Sequence, residues 1–111
     1  EIINIGVQPF QNLSVTNHIK SLGGDSSVWS KGYIETGLAA FDSTVRATSG
    51  QFCIGDAVTI ADCLLVPQMA SSRRFGVDVT GYERLAEIEA RCLALSAFKN
   101  AAPDQQPDAV K

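Results

Sequence analysis

The architecture of this 111-residue chain is set by Gly55-Asp56-Ala57-Val58-Thr59-Ile60-Ala61-Asp62, which leads into an apolar run at residues 63–69. Thr59 and Asp62 have the spacing of a capping box, in which a hydroxyl and a carboxylate each satisfy a free backbone N–H group at a helix start. The segment that follows is apolar nearly all the way round, so we predict a central, buried helix. Because a buried helix start must satisfy its own N–H groups, the pattern gives Thr59 and Asp62 a structural role.

The composition is that of a globular domain, with 45% hydrophobic and 19% charged residues. A chain of this length forms one domain and can bury a single core. The net charge of −3 argues against nucleic acid or an anionic membrane surface as a partner. The apolar runs are too short to cross a bilayer.

The reactive residue types exclude several kinds of site. The single histidine, His18, excludes the two-histidine metal motifs, and we predict no metal. Three cysteines without a CxxC pair favour reduced thiols in the cytoplasm, with the mitochondrion as the alternative compartment. We expect Cys63 and Cys92 to be core residues and Cys53, which precedes a turn, to be more accessible.

Apolar periodicity in the first half of the chain predicts two helices. Residues 1–22 have helical spacing throughout, and Pro9 is expected to bend this helix. The second helix is predicted to start at a cap on Ser26 or Ser27 and to stop at Gly50. Its buried face is predicted to contain Ile34, Leu38, Phe41 and Val45.

Three further helices are predicted in the second half. The helix that starts at the first capping box runs from Thr59 to about Arg74. Thr80 and Glu83 have the spacing of a second capping box, which would start the fourth helix, and Ser96 is the predicted cap of a short last helix. The charged residues of the fourth helix are expected to form a solvated face; they are Glu83, Arg84, Glu87, Glu89 and Arg91.

No segment has the pattern of a strand. We therefore predict an all-α bundle of four to five helices around a buried central helix. Residues 1–102 would form this helical domain, and residues 103–111 a polar tail.

Four stretches together resemble the carboxy-terminal helical domain of the zeta class of glutathione transferases. They fall in the family's order across nearly the whole chain, and they are residues 6–15, 52–68, 74–78 and 102–108. The family's proteins begin with a thioredoxin-like domain that carries a Ser- and Cys-rich thiol-activating motif. Nothing in this sequence matches that motif, so the resemblance implies a fragment of a longer protein with no catalytic residue of its own.

The resemblance implies a glutathione-dependent isomerase that converts maleylacetoacetate to fumarylacetoacetate in tyrosine and phenylalanine breakdown. Glutathione would be the cofactor, a small dicarboxylate the substrate, and the first two predicted helices the homodimer interface. The fragment alone is expected to be inactive. Two alternatives stay open: a glutathione transferase or dehalogenase acting on small α-halo acids, and a non-catalytic interaction scaffold.

The resemblance also assigns binding residues. Gln8, Asn12, Leu13 and Ser14 would line the glutathione side of the cleft, where amide and hydroxyl groups can bond to a peptide. The alternative is that Gln8 and Asn12 satisfy backbone groups that Pro9 leaves free.

Arg74 matches the family position proposed to bind the substrate carboxylate, which a guanidinium can grip in a bidentate manner. The alternative is that Arg73 and Arg74 both stabilise the end of the third helix through its dipole. We expect Arg74 to contact the substrate, Arg73 to lie on the surface, and Asp62 to act as a cap rather than as an acid or base.

Overall fold

The computed structural model describes residues 1–109, so the last two residues of the predicted tail lie outside the described part. The α-helices are α1 (Ile2–Gly6), α2 (Leu13–Ser21), α3 (Ser26–Thr48), α4 (Ile60–Arg74), α5 (Glu83–Ala94) and α6 (Ser96–Asn100), and two 3-10 helices span Gln8–Gln11 and Pro103–Gln105. No strand occurs among the described residues, which confirms the predicted all-α class. None of the described helices is long and apolar enough to span a membrane.

The core lies between α1, α3, α4 and α5. The predicted buried face of α3 is confirmed, since Ile34 and Leu38 are completely buried and Phe41 and Val45 nearly so. Opposite this face, α4 and α5 contribute Leu65, Met69, Leu85, Ile88 and Cys92. Complete burial of each large apolar side chain stabilises the fold by about 1.5–3 kcal/mol.

Residues 1–22 form three short helices rather than one bent helix. Proline has no N–H group to donate, and its ring disfavours a helical backbone in the residue before it. Helix α1 therefore ends at Gly6, and a 3-10 helix containing Pro9 follows. Asn12 then has an extended backbone, with φ −63° and ψ 144°, and caps α2. The expected single helix is wrong because Pro9 breaks the helix and Asn12 starts another.

The start of α3 also differs from the prediction. Its cap is Asp25, whose carboxylate accepts hydrogen bonds from the N–H groups of residues 27 and 28 at 2.8 and 3.2 Å. Neither Ser26 nor Ser27 is the cap, because a carboxylate both accepts these bonds and interacts favourably with the positive end of the helix dipole. The helix ends at Thr48 with Ser49 as its C-cap, so Gly50 takes the position directly after the cap and the predicted stop is confirmed.

The two predicted caps later in the chain are not formed. Thr80 does not bond to Glu83; its N–H group and hydroxyl both donate to Asp78, at 2.9 and 2.7 Å. This local turn competes with the capping box. Ser96 is the first residue of α6 rather than its cap, and the cap position falls on Leu95 without a side-chain bond.

The three cysteines are free thiols, but their burial differs from the expectation. Cys53 and Cys92 are completely buried, whereas Cys63 is exposed on α4. The expectations for Cys53 and Cys63 were therefore wrong. Cys53 is held inside because its backbone N–H donates to the buried carboxylate of Asp62 at 2.9 Å.

Two glycines of α3 give a matched test of how closely α1 approaches this helix. A Cβ atom on Gly37 would lie 2.0 Å from Cγ2 of the buried Val7, whereas a Cβ atom on Gly32 would meet nothing within 4 Å. Gly37→Ala is expected to lower the free energy of unfolding by about 1–2 kcal/mol, because overpacking exceeds the gain in helix propensity. Gly32→Ala is expected to raise it by about 0.5–1 kcal/mol.

Urea denaturation followed by circular dichroism measures both changes. An equal gain in stability for the two variants would show that Val7 can move aside without loss of stability. The residue that follows α1 would then not be in tight contact with α3.

Candidate functional site

Helix α4 is fixed at its start by the side chains of Thr59 and Asp62. Asp62 accepts hydrogen bonds from the backbone N–H and the hydroxyl of Thr59 at 2.8 and 3.0 Å. The hydroxyl of Thr59 accepts a hydrogen bond from the N–H of Ala61 at 3.3 Å, and both interactions of the predicted capping box are present. Since Asp62 also binds the N–H of Cys53, one carboxylate holds both the helix start and the preceding loop.

The charge states at this helix start follow from burial and hydrogen bonding. Burial alone would raise the pKa of Asp62, but the bonds from the backbone N–H groups of Cys53 and Thr59 outweigh it and hold the pKa below its usual value. Burial, and then the nearby carboxylate, raise the pKa of the Cys53 thiol well above its usual range. Burial also raises the pKa of Cys92 to about 11. Asp62 is thus an ionised cap, and these two thiols stay protonated near neutral pH.

The end of α4 is closed by backbone groups. The N–H groups of residues 75, 76 and 77 donate to the carbonyls of residues 71, 73 and 72, each at 3.0 Å. Gly76 supplies the positive φ of 71° that this turn needs. These carbonyls therefore do not need hydrogen bonds from the side chains of Arg73 and Arg74, although both arginines lie in the last turn of α4, where positive charge interacts favourably with the helix dipole.

One face of α4 packs on the core and the opposite face forms a groove. Pro67 and Ala70 are exposed on this outer face, and α5 and α6 form the opposite wall. The groove has a volume of about 740 Å³, within the range of small-molecule sites. Its lining is mostly apolar and comprises Cys63, Val66, Pro67, Ala70, Ser71, Arg73, Arg74, Glu89, Leu93, Ala97, Phe98, Ala101, Ala102 and Pro103.

Arg73 is paired across the groove with Glu89 of α5. Nη1 and Nη2 of Arg73 donate to Oε1 and Oε2 of Glu89 at 2.7 and 2.5 Å, and this pairing raises the pKa of the guanidinium. The expectation that Glu89 belongs to a solvated face was wrong, since it is 6% exposed. Glu89 lies four residues after the buried Leu85, and this spacing places it on the inner face of α5.

Arg74 has no acidic partner among the described residues. Its guanidinium carbon lies 5.8 Å from the centre of the Phe75 ring, within the range of a cation–π contact. Because Arg73 is neutralised by Glu89, Arg74 is the one free cation that residues 1–109 contribute to the groove. Arg74 is consequently the residue of this groove that is suited to bind an anion.

The first 3-10 helix is held against α3 and α4. Nε1 of Trp29 donates to the carbonyl of Phe10 at 3.0 Å, and the rings of Phe10 and Tyr33 stack with their centres 4.1 Å apart. Nε2 of Gln11 donates to Oε1 of the buried Gln68 at 3.4 Å. These contacts fix the segment that carries Gln8 and Asn12.

The four residues predicted to bind glutathione lie where this 3-10 helix meets α2. Gln8 is half-buried, Asn12 and Ser14 are exposed, and Leu13 is 76% exposed. Oδ1 of Asn12 accepts from the N–H and the hydroxyl of Ser14, both at 3.1 Å. The amide NH₂ groups of Gln8 and Asn12 have no hydrogen-bond acceptor within residues 1–109, so they are available as donors to a ligand.

The structure therefore places the candidate residues in two surfaces. Arg74 lies in the groove, and Gln8, Asn12, Leu13 and Ser14 lie outside its lining. The contact between Gln11 and Gln68 connects the second surface to α4. In residues 1–109 no group of His, Cys, Asp or Glu side chains is arranged to hold a metal ion.

A comparison with models of known protein families gave no match. The chain is 38% identical to the maleylacetoacetate isomerase of Mus musculus over 109 residues, which are 97% of this chain and 49% of the mouse protein. It is 36% identical to a maleylpyruvate isomerase of Ralstonia sp over 113 residues, covering 96% of this chain and 53% of that protein. The chain thus spans about half the length of these curated relatives.

Its backbone is similar to the crystal structure of maleylacetoacetate isomerase from Anaeromyxobacter dehalogenans 2CP-1, with a TM-score of 0.95 and 43% identity. The similarity covers 100% of this chain and 53% of that one. A second structure of that isomerase holds dicarboxyethyl glutathione and citrate in its active site.

The helical bundle is thus of the glutathione transferase type. The chain is 38% identical over 110 residues to a zeta-class glutathione S-transferase of Euphorbia esula, covering 96% of this chain and 49% of that protein, and it corresponds to the carboxy-terminal helical domain of the zeta class.

Proposed function

We propose that this chain supplies the substrate-side wall of a glutathione-dependent isomerase that converts maleylacetoacetate to fumarylacetoacetate in tyrosine and phenylalanine breakdown. The observation that carries the proposal is the groove on α4, which combines an apolar lining with the guanidinium of Arg74, unpaired within the described part of the chain. The sequence and backbone around this groove follow those of isomerases along nearly the whole chain.

The donors at the start of α2 fit the cofactor. Glutathione has two carboxylates and two peptide carbonyls, and the free amide NH₂ groups of Gln8 and Asn12 are suited to bond to such oxygens. Ser14 supports this arrangement because it donates to Oδ1 of Asn12 and thereby orients the amide. Leu13 provides an exposed apolar surface beside them.

The groove fits a dicarboxylate with an unsaturated carbon chain. The guanidinium of Arg74 would bind one carboxylate through two hydrogen bonds. Apolar residues of the groove, among them Val66, Pro67 and Phe98, would cover the carbon chain and exclude water from it. The role of this chain is therefore to hold the substrate in place rather than to transfer protons.

The reactive thiol is assigned to glutathione rather than to this chain. The chemistry that glutathione supplies when bound is a thiolate for reversible addition to a conjugated double bond, which becomes a rotatable single bond until the thiolate leaves. The thiols of Cys53 and Cys92 are buried and have raised pKa values, which disfavours their thiolates. Cys63 is the exposed cysteine of the groove.

We also propose that the enzyme is a cytoplasmic homodimer that associates through α1, α2 and α3. Leu22 and Val28 are 71% and 68% exposed. They lie with Ile19 and Trp29 around a shallow depression at the α2–α3 junction, and burial of such apolar surface favours association. The free thiols are those of a reducing compartment.

The proposal is tested by following maleylacetoacetate isomerisation by the full-length protein with glutathione supplied and withheld. Turnover is expected only with glutathione, and the glutathione is expected to be recovered unchanged. Glutathione-independent turnover that Cys63→Ser abolishes would instead assign the thiol to Cys63. Absence of turnover under both conditions would favour the scaffold alternative.

A further inference from the structure

We propose that Glu89 determines which anions the groove accepts, by pairing with one of its two adjacent arginines. Arg73 and Arg74 both line the groove, and Glu89 engages Arg73 alone, with two hydrogen bonds. The groove therefore presents a single free guanidinium to a ligand. This inference rests on the carboxylate-binding role proposed for Arg74 and adds a residue that sets how many carboxylates the groove binds.

A ligand carboxylate does not readily displace Glu89 from Arg73. The side chain of Glu89 is 7% exposed and that of Arg73 is 47% exposed, so a ligand in the groove has much more access to the arginine than to the glutamate. A ligand carboxylate that captured Arg73 would leave the buried Glu89 without a cation, which is strongly unfavourable. Both donor nitrogens that face Glu89 are already used in a bidentate pair.

The groove therefore distinguishes anions by their shape. One carboxylate binds at Arg74, and the neighbouring surface is apolar, so an extended carbon chain with a terminal carboxylate fits well. A compact anion with several carboxylates would need the second cation that Glu89 withholds. The groove is thus suited to an extended chain with a terminal carboxylate, and the pairing of Arg73 with Glu89 lowers its affinity for a compact anion with several carboxylates, such as citrate.

Calorimetric titration of the full-length protein with malonate and with citrate, in saturating glutathione, tests this assignment. Glu89→Gln removes the charge and replaces one acceptor oxygen by a donor, so Arg73 is released. We expect the Kd for citrate to fall about tenfold, the change produced by one additional charge-assisted hydrogen bond. The Kd for malonate should fall less, and the double variant Arg73→Met with Glu89→Gln should return both values to those of the wild type.

An unchanged citrate Kd in Glu89→Gln, with its melting temperature intact, would overturn the inference and leave the pair a purely structural link between α4 and α5. Retention of tight citrate binding by the double variant would also overturn it. Arg73→Met alone keeps the proposal testable if Glu89→Gln fails to fold. It leaves the carboxylate of Glu89 beside the groove without its cation, so the Kd values for citrate and malonate should both rise, and unchanged values in the folded variant would overturn the inference. The carboxylate-binding role of Arg74 is tested separately by Arg74→Met. Unchanged malonate binding in that variant would refute the proposed function of the groove.

Discussion

Asp62→Ala is expected to lower the free energy of unfolding by about 3–4 kcal/mol. An exposed cap contributes less, about 0.5–2 kcal/mol, but Asp62 is completely buried and accepts bonds from the N–H groups of both Thr59 and Cys53. The substitution leaves two backbone donors without partners, and each unsatisfied donor costs about 1–3 kcal/mol. Urea denaturation of the full-length protein, followed by circular dichroism, measures the loss.

The matched control is Asp56→Ala, which also removes a carboxylate that accepts a loop N–H group, that of Gln51 at 2.9 Å. That bond is exposed, so the expected loss is below about 1 kcal/mol. Activity per folded molecule should be retained in Asp62→Ala. Full stability with lost turnover would identify Asp62 as a catalytic group and refute its structural role.

The carboxylate of Asp62 makes the free energy of unfolding of the domain depend on pH in the acid range. Because the folded pKa of Asp62 is below its usual value, its contribution to stability is complete above the unfolded pKa of about 3.9 and declines as pH falls toward the folded pKa. Asp62→Asn should therefore lose less stability than the wild type over this acid range.

Arg74→Met is expected to raise the KM for the carboxylate substrate by about 10- to 100-fold, because a hydrogen-bonded ion pair contributes about 1.5–3 kcal/mol. The methionine keeps a long unbranched side chain at this position and removes the charge, the donors and the cation–π contact with Phe75. Stability should change little, since the last carbonyls of α4 are satisfied by backbone N–H groups. Steady-state kinetics at saturating glutathione provide the measurement.

Lys99→Met is the control for long-range charge. Lys99 lies on α6 between groove residues but does not line the groove, so its removal should change KM less than about twofold, because an exposed charge is screened by salt. Equal effects of the two substitutions would show that Arg74 acts only through the net charge of the domain.

Features that depend on neighbouring residues could be predicted from the sequence. The start of α4 follows from the spacing of Thr59 and Asp62, and the buried face of α3 follows from apolar residues at steps of three and four. The break at Pro9 was missed because helical periodicity continues across it. Periodicity does not report that proline removes a donor and disfavours a helical backbone in the residue before it.

Features that join distant segments could not be predicted in the same way. Arg73 and Glu89 are on different helices, and only the packing of α4 on α5 brings them together. The bond from Cys53 to Asp62 likewise depends on the path of the loop, which is why Cys53 was expected to be accessible. The resemblance to a family indicated Arg74, but the geometry of the neighbouring pair explains why Arg74 rather than Arg73 remains free.

We propose that the outer face of α4 is the substrate wall of a glutathione site. A crystal structure of the full-length protein with glutathione and malonate tests this most directly. We expect a malonate carboxylate within hydrogen-bond distance of the Arg74 guanidinium, and glutathione in contact with Gln8 or Asn12. Malonate bound away from α4, with Arg74 in solvent and glutathione far from the start of α2, would contradict it.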